Sequence, residues 1–262
     1  MYTLITGASS GIGKALVLEC ASRGMNVLLV ALPGEELCVL EKMIREKHAV
    51  ECSSFGTDLS LHTAAADVYN WVKQNNYTVN ILVNNVGVGS KSPFEKLSSE
   101  FYHKQINLNI LATCLLTHLF IPELKQQSPA YILNMGSMGG FFSLPEKVVY
   151  AATKAFIYSF SKALRMELEG SGISVSVACP GGIDSNQNTI ASNRELKGLA
   201  KVSILQPEQL AKESIDKMLK GQATIIPGRC NKFIYGLSKL TPAFIQNIFV
   251  RKAFSRLKKQ VY

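Results

Sequence analysis

The sequence predicts an α/β fold: a doubly wound parallel sheet with helices on both faces, in a single domain. Two observations carry this. Short apolar runs of strand length alternate with longer stretches of helical period from residue 3 to residue 227. The connections between successive runs are long enough to hold a helix each, which parallel strands need. A chain of 262 residues suffices for one large buried core.

Residues 3–6 read as the first strand. It runs into Thr6-Gly7-Ala8-Ser9-Ser10-Gly11-Ile12-Gly13, then a helical pattern from Lys14 to Arg23 and a second strand from Val27 to Ala31. A glycine-rich loop between strand and helix lets backbone approach a pyrophosphate, and the helix N-terminus offers free N–H groups and a positive dipole end. The spacing is GxxxGxG rather than the dinucleotide pattern GxGxxG. An acid at the end of the second strand would favour a free ribose 2′-hydroxyl, an arginine a 2′-phosphate. Ala31-Leu32-Pro33 supplies neither. No acid repels a phosphate there, and Ser9, Ser10 and Lys14 are candidates to hold one. NADP(H) is therefore favoured, with NAD(H) as the alternative. Lys14 reads equally well as a solvated helix residue.

Glu35 to Lys47 predicts a helix and Val50 to Phe55 a strand, closed by Thr57-Asp58-Leu59-Ser60. Asp58 suits either an adenine amino group or the cap of a helix from Leu61 to Gln74. The apolar run Val79 to Val83 fits a strand covered on both faces, and Asn84-Asn85-Val86-Gly87 follows it. A long helix spans about residues 98–126, with Phe101, Ile106, Leu108, Leu111, Leu115, Leu116 and Leu119 as its apolar stripe. Asn109, in its middle, either bonds neighbouring backbone or holds a water near an active site.

The run Tyr131-Ile-Leu-Asn-Met135 predicts a strand that stops at Gly136, setting Ser137 just past its carboxyl end. Tyr150 to Glu167 is helical, with Ala155, Phe156, Ser159, Phe160, Ala163 and Leu164 at helical spacing. Tyr150 and Lys154 are four apart and share a face. A free tyrosine ionises near pH ~10, and a nearby ammonium favours the phenolate. Such a tyrosine can exchange a proton with an alcohol oxygen, and Ser137 can hydrogen-bond the same oxygen. Taken alone, the pair is usually an ordinary helix surface. Val175 to Cys179 is another strand, ending in Pro180-Gly181-Gly182-Ile183. Residues 184–206, with Asn186, Asn188 and Asn193, are polar and patternless and suit a lid. A helix from Pro207 to about Lys220 and a strand Thr224 to Pro227 follow. In such sheets ligands bind beyond the carboxyl ends of strands, where the Gly7–Gly13 loop, Asp58, Asn84 to Gly87, Ser137 and Pro180-Gly181 all fall.

With 47% apolar and 18% charged residues, the composition fits a compact soluble protein. No apolar run reaches the ~18 residues of a membrane span, and the opening Met1-Tyr-Thr-Leu-Ile reads as strand rather than leader. The cysteines at 20, 38, 52, 114, 179 and 230 show no metal-type spacing. Reduced thiols, a cytoplasmic location and no bound metal are expected. The net charge of +9 is concentrated: no Asp or Glu follows Gly221, while Arg229, Lys232, Lys239, Arg251, Lys252, Arg256, Lys258 and Lys259 do. From Pro242 a helical pattern lines up Phe244, Ile245, Ile248, Phe249, Ala253, Phe254 and Leu257. A basic amphipathic helix can lie on an anionic membrane, pack on a partner subunit, or steer an acyl-CoA or acyl-carrier thioester. Packing on the chain's own core, with a solvated basic face, is the ordinary alternative. No nucleic-acid recognition motif accompanies the charge, so no specific nucleic-acid partner is expected.

TGASSGIG at 6–13, NNVG at 84–87, Asn109, Ser137, YAATK at 150–154 and PGGI at 180–183 together resemble the short-chain dehydrogenase/reductase family, over about residues 1–228. The resemblance implies a Rossmann-like fold and an oxidoreductase moving a hydride between NAD(P)(H) and a small-molecule carbonyl or secondary alcohol. It implies a catalytic tetrad of Asn109, Ser137, Tyr150 and Lys154. Tyr150 would be the general acid/base, Lys154 would lower its pKa and hold the nicotinamide ribose, Ser137 would polarise the carbonyl, and Asn109 would anchor a relay water. Gly7, Ser9, Ser10, Gly11, Ile12, Gly13, Asn85 and Gly87 would contact the cofactor, with Asp58 and Leu59 at the adenine and Pro180, Gly181 and Ile183 at the nicotinamide. The chain departs from the family in NNVG for the commoner NNAG, in Ser185 where threonine is common, and in the strand end that lacks both specificity residues. Residues 229–262 would form a basic extension packed on or near the domain, similar to the tails of ketoacyl and hydroxysteroid reductases. Phe94, Phe141, Phe142 and Leu144 make the expected pocket segments apolar, so a lipophilic substrate is expected. Family habit implies a homodimer or homotetramer. A cofactor-binding regulator without turnover is the competing reading.

Overall fold

The computed structural model describes residues 1–251 except 186, 195–197, 243 and 249. Asn186, and Phe249, Lys252, Ala253, Phe254, Arg256, Leu257, Lys258 and Lys259 of the tail, lie outside the described residues. Seven parallel strands form one sheet: β1 (Tyr2–Thr6), β2 (Asn26–Ala31), β3 (Cys52–Gly56), β4 (Val79–Asn84), β5 (Ala130–Met135), β6 (Ile173–Ala178) and β7 (Thr224–Ile225). Their order is β3-β2-β1-β4-β5-β6-β7. The order turns back between β1 and β4, which opens a crevice at their carboxyl ends.

The helices are α1 (Gly11–Ser22), α2 (Glu35–Lys47), α3 (Ala64–Gln74), α4 (Ser99–Ile106), α5 (Ala112–Leu124), α6 (Val148–Glu167), α7 (Gln187–Arg194), α8 (Leu199–Val202), α9 (Pro207–Leu219) and α10 (Arg229–Leu240). One sheet face is covered by α1, α2 and α9, through Leu16, Leu40, Ile44, Leu210 and Ile215. The other is covered by α3, α5 and α6, through Val68, Leu116, Phe120 and Leu164. Burial on both faces explains why the strands read as apolar runs without strict alternation.

Three expectations are corrected. The long helix is interrupted by a π-turn, Asn107–Leu111, between α4 and α5. Its buried side carries Leu108, Asn109, Ala112, Thr113, Leu116, Thr117 and Phe120, while Ile106, Leu111 and Leu115 face outward. On α6 the buried residues are Ala151, Thr153, Lys154, Ile157, Ser161 and Leu164. Ala155, Phe156, Ser159 and Ala163 are exposed. A helix apolar on two sides gives no sequence signal for which side is buried. Finally, residues 184–206 are not patternless: α7 and α8 lie there, and Ile183 bridges to Leu205.

By length and mean hydropathy, 1.3, the helical run Ser99–Leu124 is apolar enough to cross a bilayer, although no uninterrupted apolar run is that long. Its inner side instead packs on α3 and β4. α10 occupies a stretch for which the sequence pattern predicted no helix. Leu116→Ala should cost about 2–5 kcal/mol of stability. Leu115→Ala, one residue away on the outer face, should cost under about 1 kcal/mol. Urea unfolding midpoints at constant slope measure both.

Candidate active site

The crevice between β1 and β4 is a cleft of about 430 Å³. Gly7, Ser9, Ser10, Gly11, Ile12 and Gly13 line one wall; Asp58, Leu59, Asn85, Val86, Gly87 and Val88 line another. The glycine loop is folded tightly on itself. A Cβ on Gly13 would lie 1.8 Å from the Gly7 carbonyl oxygen, so no side chain fits. The first-turn N–H groups of α1 have no intrahelical partner, and the Ser10 side chain does not cap them. They suit an anion such as a pyrophosphate. The cleft therefore fits a dinucleotide cofactor.

Thr6 fastens the two walls. Its Oγ1 accepts the N–H of Asn85 at 3.0 Å and of Val86 at 3.1 Å. Asn85 Nδ2 donates to the carbonyls of Thr6 and Gly7, at 2.9 and 3.3 Å. The structural role of Thr6 was not foreseen, although the residue opens the glycine motif. Asp58 is not a helix cap, because α3 starts only at Ala64. Its Oδ1 accepts the Ser60 N–H at 2.9 Å and the Ser60 hydroxyl at 2.7 Å, while Lys104 Nζ is 3.5 Å from Oδ2. These partners hold its carboxyl below the usual aspartate range against the opposing effect of burial. Lys104, also unforeseen, lines the cleft together with Ala31, Leu32 and Thr57. Lys14 is exposed and outside that lining.

At the far end of β4, Asn109 projects from the π-turn. Its Oδ1 accepts the Val88 N–H at 2.8 Å, and its Nδ2 donates to the Val88 carbonyl at 3.1 Å and to Thr153 Oγ1 at 3.0 Å. Backbone bonding is thus the geometry observed for this side chain. Thr153 Oγ1 in turn donates to the Tyr150 carbonyl at 2.7 Å. Gln105 Nε2 donates to the same Val88 carbonyl at 3.1 Å. Thr153 and Gln105 carried no sequence signal, being ordinary polar residues at helix positions.

Tyr150 and Lys154 stand on one face of α6, with Nζ 5.9 Å from the ring centroid. Lys154 is buried and donates to the Met135 carbonyl at 2.8 Å. Ser137 follows β5; its Oγ accepts the Gly139 N–H at 3.0 Å, and Ser137 Oγ and the Tyr150 ring both approach the position a Cβ on Gly139 would take, at 3.3 and 3.7 Å. The three residues are therefore together. Their electrostatics differ from expectation. Burial pushes Tyr150 up from 10.0, with Ser137 opposing it. Burial pushes Lys154 down from 10.5 to about 8. A low-dielectric site disfavours both ions.

Pro180, Gly181 and Ile183, expected at the nicotinamide, lie like Ser137, Tyr150 and Lys154 beyond the part of the cleft that the glycine loop lines. The Pro180 carbonyl accepts the Met138 N–H at 2.8 Å. Gly181 abuts the Asn231 side chain. Ile183 is buried with Leu205 in the core. Ser185 does line the cleft, close to Gly11. A second cavity, of about 610 Å³, is lined by Phe141, Phe142, Leu144 and Val148. Leu144 reaches toward Ser137: both touch the position a Cβ on Gly139 would take, at 3.3 Å. Phe94 instead is exposed and stacks on Tyr102 at 5.0 Å.

The lowered Lys154 value sets a pH dependence. Below about pH 8 the lysine is protonated folded and unfolded, and its buried charge weakens the fold. Between that value and 10.5 the unfolded chain holds more protons, so stability rises with pH. From pH 8 to 10 the wild type should gain on the order of 2 kcal/mol relative to Lys154→Met. Urea unfolding of both proteins across that range measures it.

A family model described as short chain dehydrogenase matches residues 2–196. The very-long-chain 3-oxoacyl-CoA reductase of Mus musculus is 34% identical over 185 residues, covering 68% of this chain and 58% of that protein. The match thus spans little over half the length of this relative. A solved 7β-hydroxysteroid dehydrogenase superposes with a TM-score of 0.84 at 27% identity, covering 96% of each chain. The short-chain dehydrogenase of Sphingobium yanoikuyae, solved with NADPH, gives a TM-score of 0.79 at 28% identity over 87% of this chain and 89% of that one. A doubly wound sheet, a glycine cradle beside β1 and a Ser137, Tyr150 and Lys154 grouping accompany that match, and the chain belongs to the short chain dehydrogenase family.

Proposed function

We propose that the protein is an NADP(H)-linked oxidoreductase that interconverts a carbonyl and a secondary alcohol on a lipophilic substrate. The observation that carries this is the grouping of Ser137 with Tyr150, and of Tyr150 with the buried Lys154, where Val88 links α6 through Asn109 to the cofactor cleft. When bound, the nicotinamide cofactor supplies or takes up the hydride. Gly7 to Gly13 and the α1 N-terminus hold its pyrophosphate, and Asp58 and Leu59 flank its adenine end.

In the reductive direction the Ser137 and Tyr150 hydroxyls bind the carbonyl oxygen. As the carbon becomes an alcohol carbon, the carbonyl π pair moves to oxygen and Tyr150 gives that oxygen its proton. The Lys154 ammonium stabilises the resulting phenolate. Burial pushes the Tyr150 phenol up from its ordinary value, so the protonated form is the one that meets a carbonyl. Asn109 spends its hydrogen bonds on Val88 and Thr153, so its part is to position.

The preference for NADP(H) rests on Ala31 and Leu32 at the cleft, where no acid opposes a 2′-phosphate, with Ser9 and Ser10 in the same lining. The lipophilic substrate rests on Leu144 beside Ser137 and the cavity beyond it. The names of the relatives make a 3-oxoacyl thioester the first substrate to assay.

Tyr150→Phe tests the reading. It removes the proton donor and leaves the ring in place. Turnover should fall by about 10²–10⁴-fold, while fluorescence titration shows NADPH affinity unchanged and tighter than for NADH. Retained turnover would overturn the assignment of Tyr150. Loss of nucleotide binding in the wild type would overturn the oxidoreductase reading altogether.

A further inference from the structure

The acid-free end of the chain carries an apolar stripe left uncovered by the described residues. On α10, Phe233, Leu237 and Leu240 are 65%, 55% and 85% exposed, and beyond Pro242, Phe244 and Ile248 are 67% and 60% exposed. Steps of four and three residues set the first three on one side of the helix. The opposite side is anchored. Asn231 is buried and its Nδ2 donates to the carbonyls of Ser203 and Pro227, both at 3.0 Å. Tyr235 packs on Phe141 at 5.0 Å, and its hydroxyl meets that of Tyr158 at 3.1 Å. Gln246 Nε2 donates to the carbonyls of Ser238 and Thr241, both at 2.8 Å, and ties the next turn back to α10. The outward aim of the stripe is therefore set by packing.

Cations surround it. Arg229 and Lys232 are exposed, and Lys232 lies beside Lys217 closely enough that this second ammonium holds its own below the usual lysine value. Lys217 already pairs with Glu213 at 2.7 Å. Lys239 sits over the rings of Tyr235, Tyr158 and Phe141 at 5.3, 5.6 and 5.7 Å. From Gly221 to Tyr262 the sequence has eight Lys and Arg residues and no Asp or Glu.

We propose that α10 and the segment after Pro242 dock on an anionic lipid bilayer. The exposed Phe, Leu and Ile side chains enter the boundary between headgroups and acyl chains, and the lysines and arginines meet headgroup phosphates. Charge complementarity selects this occupant. A second copy would set two faces of net positive charge against each other, because a two-fold contact pairs a patch with itself. The cavity lined by Phe142 and Leu144 is also lined by Val250 and Arg251, so the segment after Pro242 borders it. The proposal goes beyond the catalytic reading and does not depend on it.

Vesicle flotation with the purified chain tests it, using phosphatidylcholine vesicles with and without phosphatidylserine. Binding should be at least about tenfold tighter with phosphatidylserine and should weaken as salt is added. Lys232→Glu should reduce it by about fivefold or more. The double variant Leu237→Ser, Leu240→Ser should reduce it by about tenfold. Both should keep the wild-type melting temperature and NADPH affinity, which separates docking from folding and from the catalytic site. No binding to either vesicle, equal binding to both, or wild-type binding by the serine variant would overturn the proposal. So would a fall from dimer to monomer in the serine variant with no vesicle binding by the wild type, which would give the face to a second copy.

Discussion

Asn109 faces two elements at once. Its amide oxygen and nitrogen hold both backbone groups of Val88, and the same nitrogen reaches Thr153 on the catalytic helix. Gly87, the residue before, passes so close that a Cβ there would lie 2.9 Å from Asn109 Oδ1 and 3.4 Å from Lys154 Nζ. The wall of the cofactor cleft, the π-turn and the first turn of α6 therefore meet at one side chain. Each bond adds about 1 kcal/mol net, but loss of the amide would leave the Val88 N–H without its partner at about 1–3 kcal/mol, while the Val88 carbonyl keeps Gln105. The extra residue of the π-turn turns Asn109 inward, a placement such turns often serve at functional sites.

A second buried polar line supports the first. Asn84 Nδ2 donates to Thr117 Oγ1 and Asn134 Oδ1, Asn134 Nδ2 to Ser161 Oγ, and Ser161 to the Ile157 carbonyl. It crosses from α5 through β4 and β5 to α6, under the strand ends that carry the site. Thr6 performs the matching task between β1 and the loop after β4. Such networks specify one arrangement, because any slip would leave a polar group unpaired in a low-dielectric interior. The site is thus held by hydrogen bonds at strand ends, and the apolar layers above and below fix the helices that deliver Tyr150 and Lys154.

Much of this was legible in the sequence. The parallel sheet shows as alternating apolar runs, the cradle as Gly7, Gly11 and Gly13, and the catalytic face as Tyr150 and Lys154 one turn apart. What stayed hidden depends on three-dimensional context. Leu115 and Phe156 point outward because Leu116 and Ile157 serve the core, and apolar residues on both sides of a helix conceal that choice. The π-turn has no compositional mark. Thr153, Gln105 and Lys104 acquire their partners only when distant segments meet. The shift of Tyr150 has the opposite sign to expectation because its burial, the largest cause of the rise, cannot be read from spacing. Pro180, Gly181 and Ile183 stand at a strand end as expected, and their contacts with Met138, Asn231 and Leu205 form only in the folded chain.

The coupling through Asn109 is best tested by amide hydrogen exchange on Asn109→Leu, a near-isosteric change that removes every bond it makes. The Val88 amide, which donates to Asn109 directly, and the amides of the first turns of α6 should lose protection together. Amides of α2 and α9, on the opposite face of the sheet, should keep theirs. Loss at Val88 alone, with α6 unchanged, would contradict the account, because the cleft wall and the catalytic helix would then be held independently.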